Sequence, residues 1–215
     1  MKKEKVISII GNGEKPEEKL KEIILQSDVI IAADGGANHC GELDIKPDYI
    51  IGDLDSIFPE NKHKFCNAKI IRIEEQQTSD LEKTLNFAST LSPDLIRLFS
   101  IFGRRSDHTL YSLKKLWVAE NNLGIELYDN FGYWKIYRSG QYVFKGEIGE
   151  TVSFFSPGKV TKFESFGFEF PIKFGDYVNG FYSLSNTFQQ KEVKIKFTSG
   201  KVLIYRMLHN EERFD

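Results

Sequence analysis

The chain has 215 residues, of which 28% are charged and 40% hydrophobic, a composition typical of a globular protein with an ordinary apolar core. Its 29 basic residues nearly balance its 31 acidic residues, so overall charge favours neither nucleic acid nor an anionic membrane as a partner. No apolar run approaches the roughly 18 residues of a membrane-spanning helix, and the run in MKKEKVISII is too short for a signal peptide. Cys40 and Cys66 form neither a CxxC pair nor a zinc pattern, so we expect reduced thiols and a cytoplasmic protein.

Up to about residue 130, strand-like apolar runs alternate with stretches of helical periodicity. Strands are predicted at 6–10, 29–33, 48–52, 69–73, 95–103 and 125–129, and helices at 16–26, 79–90 and 107–121. Strands that alternate with helices predict a parallel sheet with right-handed crossovers and helices on its faces. We therefore expect residues 1–130 to form a Rossmann-like α/β domain.

From about residue 131 the helical pattern stops. Alternating segments rich in aromatic and β-branched residues follow, and SG, PG and NG pairs separate them. The sequence TSGK at 198–201 lies between two such segments and predicts a hairpin turn. We expect residues 131–215 to form a small all-β sandwich.

Acidic residues follow several predicted strands of the first half. The segment IIGDLDSI at 50–57 places Asp53 and Asp55 directly after the third strand, and Asp34, Asp80 and Asp107 follow other strands. In an open parallel sheet the carboxyl ends of the strands form one edge, beyond which ligands bind. We therefore expect the five carboxylates at one edge, where they repel each other unless a cation or a proton lies between them.

Aspartate after a strand also has a purely local use, since Asp and Asn favour turns and helix N-caps. Asp80, or Ser79 beside it, and Asp107 each begin a predicted helix and fit that interpretation. The pair Asp53 and Asp55 does not, because one cap is sufficient for one helix.

Cations in the same region suggest what the carboxylates bind. Mg²⁺ takes oxygen ligands from one or two carboxylates and from substrate phosphates. Arg104 and Arg105 suit bidentate contact with phosphate oxygens. The glycines of GNG at 11–13 indicate a tight turn or a phosphate contact, and Gly35 and Gly36 leave room for a ligand beside the backbone. The pattern predicts a metal-dependent site for a polyphosphate.

Taken in order, the segments ADGGANHC, GDLDSI, QQTSDLEKTL, FGRRSDHTL and GFYSLSNTF resemble the thiamine pyrophosphokinase family over nearly the whole chain. The resemblance implies an enzyme that transfers a pyrophosphoryl group from ATP to the hydroxyl of thiamine, giving thiamine diphosphate and AMP. It also implies Mg²⁺ dependence and a homodimer in which the β domain holds thiamine near the interface.

The resemblance also implies roles for individual residues of this sequence. The metal ligands it implies are Asp53, Asp55 and Asp80. The residues it places in catalysis are Asp53, Asp55, Asp80, Asp107 and Arg105. Those it places at ATP are Asp34, Gly35, Gly36, Arg104, Arg105, Asp107 and His108. Those it places at thiamine are Gln76, Phe170, Ser183, Ser185 and Asn186.

Two details concern the thiamine side. Phe170 stands where the family has a tryptophan, which gives a smaller apolar face and no indole N–H. Ser183 and Ser185 are two residues apart, so on a regular strand both face the same side and contact one ligand.

Other activities use parts of the same pattern. A pyrophosphokinase for another alcohol, such as a pterin, would share the phosphate side. A glycosyltransferase also binds a metal and a nucleotide diphosphate through a DxD motif. An aspartyl-phosphate phosphatase carries DxD after the first strand of its sheet, whereas here the motif follows the third. A thiamine sensor without turnover would not need five acidic residues.

Overall fold

The computed structural model describes residues 3–73, 75, 77–118 and 123–208. The chain divides into two compact units, residues 1–130 and residues 131–215. Among the helices in those described ranges, none combines the length and the apolar character needed to cross a membrane.

The first unit alternates strands with helices, as the sequence predicts. In chain order the elements are β1 (Val6–Ile10), α1 (Glu18–Leu25), β2 (Val29–Ala33), α2 (Gly36–Glu42), β3 (Tyr49–Gly52), α3 (Pro59–Lys64), β4 (Lys69–Arg72), α4 (Asp80–Thr90), β5 (Leu95–Phe99), α5 (Ser106–Val118) and β6 (Gly124–Tyr128). The six strands pair in parallel in the order β6-β5-β1-β2-β3-β4. The α/β character predicted for this half is confirmed.

The central strands of this sheet are buried almost completely. Ile7, Ile9, Ile31 and Leu98 have no exposed surface, as expected where helices cover both faces of a parallel sheet. The chain starts at β1, builds β2 to β4 on one side and then adds β5 and β6 on the other. The crevice between the ends of β1 and β5 is therefore the point where ligands bind in such sheets.

The second unit is antiparallel. Its strands are β7 (Gly132–Lys145), β8 (Thr151–Ser156), β9 (Val160–Phe166), β10 (Gly175–Tyr177), β11 (Phe181–Thr187) and β12 (Glu192–Met207). Strand β12 pairs with β7 along its length, with β9 through its first half and with β8 through its second half. Aromatic residues including Phe154, Phe163 and Phe197 fill the core of this unit.

The predicted hairpin turn at TSGK is wrong. Strand β12 runs through this segment and shifts its register against β7 there, at a point where Gly140 lies on the facing strand. Gly200 has a φ of 102°, and a Cβ at this position would lie 2.3 Å from the carbonyl oxygen of Lys159. An extra residue at a bulge bends a strand without ending it. The bend lets one strand serve two sheet partners in succession.

Candidate active site

A cavity of about 630 Å³ lies in the first unit beyond the carboxyl ends of the strands. The loops after β1, β2, β3 and β5 line it, together with the first turns of α4 and α5. The sequence did not single out several of its polar lining residues, which are Asn12, Ser56, Thr78, Ser100, Tyr111 and Ser112. The cavity is therefore at the sheet edge where the sequence predicts the polyphosphate site.

Three carboxylates converge beside this cavity. Asp34, Asp53 and Asp55 each offer an oxygen atom, and these atoms all lie within 4.8 Å of one another. Asp34 is 4% exposed, and its Oδ1 has no hydrogen-bond partner in the part of the chain that the structure describes. The backbone N–H of Asp55 donates to Asp53 Oδ1 at 3.3 Å, which closes a tight turn between the two acidic residues.

The backbone takes unusual conformations to bring these carboxylates together. Gly52 has a φ of 152°, and a Cβ there would lie only 2.8 Å from Asp34 Cβ, so glycine allows β3 to end against Asp34. Leu54, between the two aspartates, has a φ of 70°, and Asp34 has a φ of 45°. A left-handed conformation costs a non-glycine residue about 1–3 kcal/mol and is concentrated at functional sites.

Asp80 faces the same cluster from the start of α4. Ser79 is the N-cap of this helix, and its hydroxyl accepts a hydrogen bond from the Glu82 N–H, so the Asp80 side chain is not used as the cap. Burial raises the pKa of Asp80, the ammonium of Lys83 at 3.3 Å opposes that rise, and the charges of Asp34 and Asp53 add to it.

The donor set fits a hard divalent cation. The converging atoms are carboxylate oxygens, the ligands that such ions prefer, and the unpartnered Asp34 Oδ1 is a buried acceptor. The sequence assigned Asp34 to the nucleotide, but the structure groups it with Asp53 and Asp55. Asp80 lies outside this group of three, although it is close enough for the charge of Asp53 to affect its pKa.

The lining of the cavity also includes cationic side chains and glycine-rich backbone. Arg104 Nη1 donates to Asn12 Oδ1 at 3.0 Å, and the Gly13 N–H donates to the Ser100 carbonyl at 2.7 Å. A Cβ on Gly13 would lie 2.2 Å from the Phe102 carbonyl oxygen. The GNG turn is therefore held directly against the arginine-bearing loop after β5, and both line the cavity.

Arg105 and Asp107 pair with each other. Arg105 Nε and Nη2 donate to the two carboxylate oxygens of Asp107 at 3.1 and 2.5 Å. The hydrogen bond from Arg105 lowers the pKa of Asp107 to about 2. Arg105 and His108 line the cavity, whereas Asp107 is not among its lining residues.

Gly35 and Gly36 serve packing against β1. A Cβ on Gly36 would lie 2.0 Å from the Ile10 carbonyl oxygen, and one on Gly35 would lie 2.3 Å from the Asn12 side chain. The sequence analysis placed both glycines at ATP, but neither is among the residues that line the cavity. Their small size instead lets α2 start directly beside the end of β1.

Glu82 joins the two helices that border the cavity. Its carboxylate accepts hydrogen bonds from the Tyr111 hydroxyl at 2.6 Å and from the Ser79 N–H at 3.2 Å, and it pairs with Lys115 at 2.8 Å. Burial opposes ionisation, but the hydrogen bonds from Lys115, Tyr111 and Ser79 outweigh it and lower the pKa of Glu82 to about 2. Sequence reasoning missed this link, although the Ser-x-x-Glu spacing of a capping box was visible.

Asn186 in the second unit holds a loop in place. The residue is fully buried; its Oδ1 accepts from the Phe170 N–H at 3.0 Å and its Nδ2 donates to the Phe170 carbonyl at 2.7 Å. Its amide also donates to Ser183 Oγ at 3.3 Å. These hydrogen bonds let Asn186 fix the backbone of Phe170. Phe170 itself is 62% exposed.

The prediction that Ser183 and Ser185 face the same side does not hold. The register of β11 against β8 shifts between Ser183 and Asn186, and Ser185 has a φ of 51°. Burial along β11 also changes phase here, because Ser185 is exposed and Asn186 is buried. The bulge therefore puts Asn186, rather than Ser185, beside Ser183. Gln76, the remaining residue predicted at thiamine, lies outside the described residues.

Comparisons with known proteins decide the family. The sequence model of the family Thiamin pyrophosphokinase, catalytic domain, matches residues 20–127. The chain belongs to this family. The resemblance that its motifs indicated is thereby confirmed, and the model covers the strands and helices that carry Asp34, Asp53, Asp55 and Asp80.

Relatives and solved structures agree with this membership. The chain is 27% identical over 178 residues to the thiamine pyrophosphokinase of Bacillus subtilis, which covers 78% of this chain and 82% of the relative. A crystal structure of the Bacillus subtilis enzyme matches with a TM-score of 0.82 and 22% identity, over 95% of this chain and all of that one. The enzyme from Candida albicans matches with a TM-score of 0.82 and 18% identity, over 95% and 89%. The fold of both units is therefore that of this family.

Proposed function

We propose that this chain transfers a pyrophosphoryl group from ATP to the hydroxyl of thiamine, giving thiamine diphosphate and AMP. The observation that carries this proposal is the cavity at the sheet edge, where the converging carboxylates of Asp34, Asp53 and Asp55 share one site with Arg104 and the GNG turn. Family membership supports the reaction type, and the presence of both carboxylates and arginines in one cavity lining supports a metal–polyphosphate ligand.

The residues present fit Mg²⁺, which Asp53 and Asp55 would hold together with Asp34 and Asp80. When bound, Mg²⁺ neutralises phosphate charge and orients the phosphates for transfer. The chain's own part begins with the glycine-rich turn and Arg104, whose mutual hydrogen bond fixes a basic wall beside the phosphates. Arg105 and His108 line the same wall and stabilise charge on the transferred group and on the leaving AMP.

Asp80 is a better acceptor than Asp107 for the thiamine hydroxyl proton. Asp107 has both oxygens held by Arg105 and a pKa of about 2, which makes it a weak base. Asp80 lines the cavity, whereas Asp107 does not. Asp107 instead orients Arg105, since its two hydrogen bonds fix the plane of the guanidinium.

The second unit is proposed to hold thiamine through the Phe170 loop. The exposed ring of Phe170 offers an apolar face for an aromatic heterocycle, and Asn186 fixes the backbone that carries it. Ser183, whose hydroxyl accepts a hydrogen bond from Asn186, and the exposed Ser185 supply hydroxyl groups for polar contacts with thiamine. Asn186 contributes by positioning, because its amide is already engaged within the protein.

We also propose a homodimer formed through the second unit. Tyr182 of β11 pairs directly with Phe155 of β8, so their side chains share one face of the sheet, and Leu184 follows on that face. All three are exposed, with Tyr182 75% exposed, and exposed apolar patches mark interaction surfaces. Sedimentation equilibrium of the wild-type protein checks this, and a monomer at micromolar concentration would contradict it.

Three further expectations belong to the same proposal. The strand order of the first unit supports a Rossmann-like description. The two successive sheet partners of β12 support a β-sandwich description of the second unit. A cytoplasmic location accords with two free cysteines, Cys40 and Cys66.

The test is a reaction of the purified protein with ATP, Mg²⁺ and thiamine, followed by chromatography of AMP and thiamine diphosphate. Equal amounts of both products are expected, and omission of Mg²⁺ should abolish them. Transfer to another alcohol but not to thiamine would keep the phosphate site and reject the thiamine assignment. Use of a nucleotide sugar in place of ATP would indicate a glycosyltransferase, and tight thiamine binding without turnover would indicate a sensor.

A further inference from the structure

One carboxylate connects the start of α4 to the body of α5. Glu82 lies in the first turn of α4 and accepts hydrogen bonds from the N–H and the hydroxyl of Ser79 at 3.2 and 3.3 Å. The same carboxylate accepts from the Tyr111 hydroxyl at 2.6 Å and pairs with Lys115 Nζ at 2.8 Å. Tyr111 and Lys115 are one helical turn apart on α5.

The position of this link matters for the acidic cluster. Asp80 is the first residue of α4, directly after the Ser79 cap. Its carboxylate interacts electrostatically with those of Asp34 and Asp53. Like charges at short range repel each other. Without a bound cation, this repulsion favours movement of the helix start away from the cluster, so the helix start needs an anchor on its other side.

Within the described residues around Asp80, the local contacts restrain it only partly. Lys83 is almost fully buried and reaches Asp80 Oδ1 at 3.3 Å, but both residues belong to the same helix and move with it. The contacts of Glu82 with Tyr111 and Lys115 instead connect α4 to a different element. Since α5 starts just after Arg104 and Arg105, the link also connects the helix that begins with Asp80 to the helix that follows the two arginines.

We propose that Glu82 is a positioning residue that keeps Asp80 at the metal cluster by tying the first turn of α4 to α5. The proposal rests on the proposed function, because it assigns Glu82 to the same metal site. Glu82 itself contacts no substrate in this assignment. It acts by completing the Ser79 cap at the start of α4 and by binding Tyr111 and Lys115 of α5.

The experiment compares wild-type protein with the Glu82→Ala and Glu82→Gln variants. Binding of Mn²⁺, used as a probe for the divalent site, is measured by electron paramagnetic resonance without ATP or thiamine. Loss of an outer-shell partner typically weakens metal affinity about 10–100-fold. We expect about a tenfold rise in the Mn²⁺ dissociation constant for Glu82→Ala. Glu82→Gln should recover part of the affinity, because its amide oxygen still accepts from Ser79.

A matched control is Glu126→Ala, in β6. Like Glu82, Glu126 accepts from a tyrosine hydroxyl, Tyr128 at 3.0 Å, and pairs with a cation, Arg97 at 3.4 Å; Glu126 is the more buried of the two carboxylates. Its loss should lower the melting temperature and leave Mn²⁺ affinity unchanged. If Glu82→Ala does not fold, Lys115→Met, which removes the ion pair to Glu82 and the cation–π contact with the Tyr111 ring, should still raise the dissociation constant by about threefold.

The outcomes separate this inference from the proposed function. If Glu82→Ala and Lys115→Met bind Mn²⁺ within twofold of wild type, Glu82 has only a structural role and the inference is rejected. If Glu82→Ala weakens Mn²⁺ binding but the wild-type protein does not pyrophosphorylate thiamine, the inference is supported and the proposed reaction is rejected. Wild-type protein that binds no Mn²⁺ in the absence of ATP would reject the inference, whereas the product assay would still decide the reaction, because Mg²⁺ also takes ligands from substrate phosphates.

Discussion

The acidic cavity of the first unit and the Phe170 loop of the second present their candidate ligand-binding groups in opposite ways. In the cavity, polar groups are brought together and one of them, Asp34 Oδ1, has no partner among the described residues. In the loop, the polar groups of Asn186 are satisfied within the protein, and an aromatic ring is left exposed. A charged ligand requires unpaired polar groups that face it, whereas an aromatic ligand requires a rigid backbone behind an exposed ring.

The activity supported by the acidic cavity should depend most strongly on charge. Replacing Asp55 with asparagine removes one carboxylate of the cluster, and loss of several kcal/mol of metal-derived stabilisation corresponds to a fall in kcat of about a thousandfold. The melting temperature should stay the same or rise, because repulsion among the carboxylates decreases. Steady-state kinetics and thermal unfolding measure the two effects.

The control for this change is Asp44→Asn, which alters an exposed aspartate after α2 and should leave both quantities unchanged. A kcat for Asp55→Asn within tenfold of wild type, with the same Mg²⁺ dependence, would remove Asp55 from the metal site.

Thiamine binding by the Phe170 loop should depend on the position of its backbone. The Asn186→Ala variant leaves the N–H and carbonyl of Phe170 without their partners, which costs about 2–3 kcal/mol of unfolding free energy. The KM for thiamine should rise about tenfold as the loop loosens, while the KM for ATP stays constant. Equal changes in both KM values would instead mean that the variant perturbs the whole protein.

A smaller effect tests the ring itself. Phe170→Trp enlarges the exposed apolar face, and an added aromatic contact contributes about 0.5–1.5 kcal/mol. We expect the KM for thiamine to fall about threefold, without a change in melting temperature, since Phe170 is exposed. Phe174→Trp, at an equally exposed position four residues further on, is the control and should leave the KM unchanged.

The smallest effect concerns the pH dependence of the link between α4 and α5. Although burial opposes ionisation, hydrogen bonds from Lys115, Tyr111 and Ser79 outweigh it and lower the pKa of Glu82 from its ordinary value of 4.5 to about 2 in the folded protein. A lowered carboxyl pKa contributes stability above about pH 4.5 that is lost as pH falls towards 2. The stability advantage of wild type over Glu82→Gln, measured by urea unfolding, should therefore shrink between pH 5 and pH 2. A constant difference would show that the ion pair does not contribute.

The positions of the acidic residues followed from local pattern. Apolar runs with short polar connections specified the strands, and parallel pairing places the residues after each strand at one edge. Asp53 accordingly lines the cavity, and Asp55 lies beside Asp53. The family resemblance rested mainly on the same connections, together with the segment GFYSLSNTF of the second unit. These features are predictable because strand periodicity and strand direction depend on residues close together in the sequence.

The tertiary structure alone decided the features that join distant segments. The grouping of Asp34 with Asp53 and Asp55 within 4.8 Å, the link from Glu82 to Lys115, and the burial of Asn186 behind Phe170 each depend on how the elements pack together. TSGK has the composition of a turn, yet β12 continues through it because β7, β8 and β9 supply partners on both sides of the bulge. Pairing across the sheet outweighs local turn preference, and that balance cannot be read from either segment by itself.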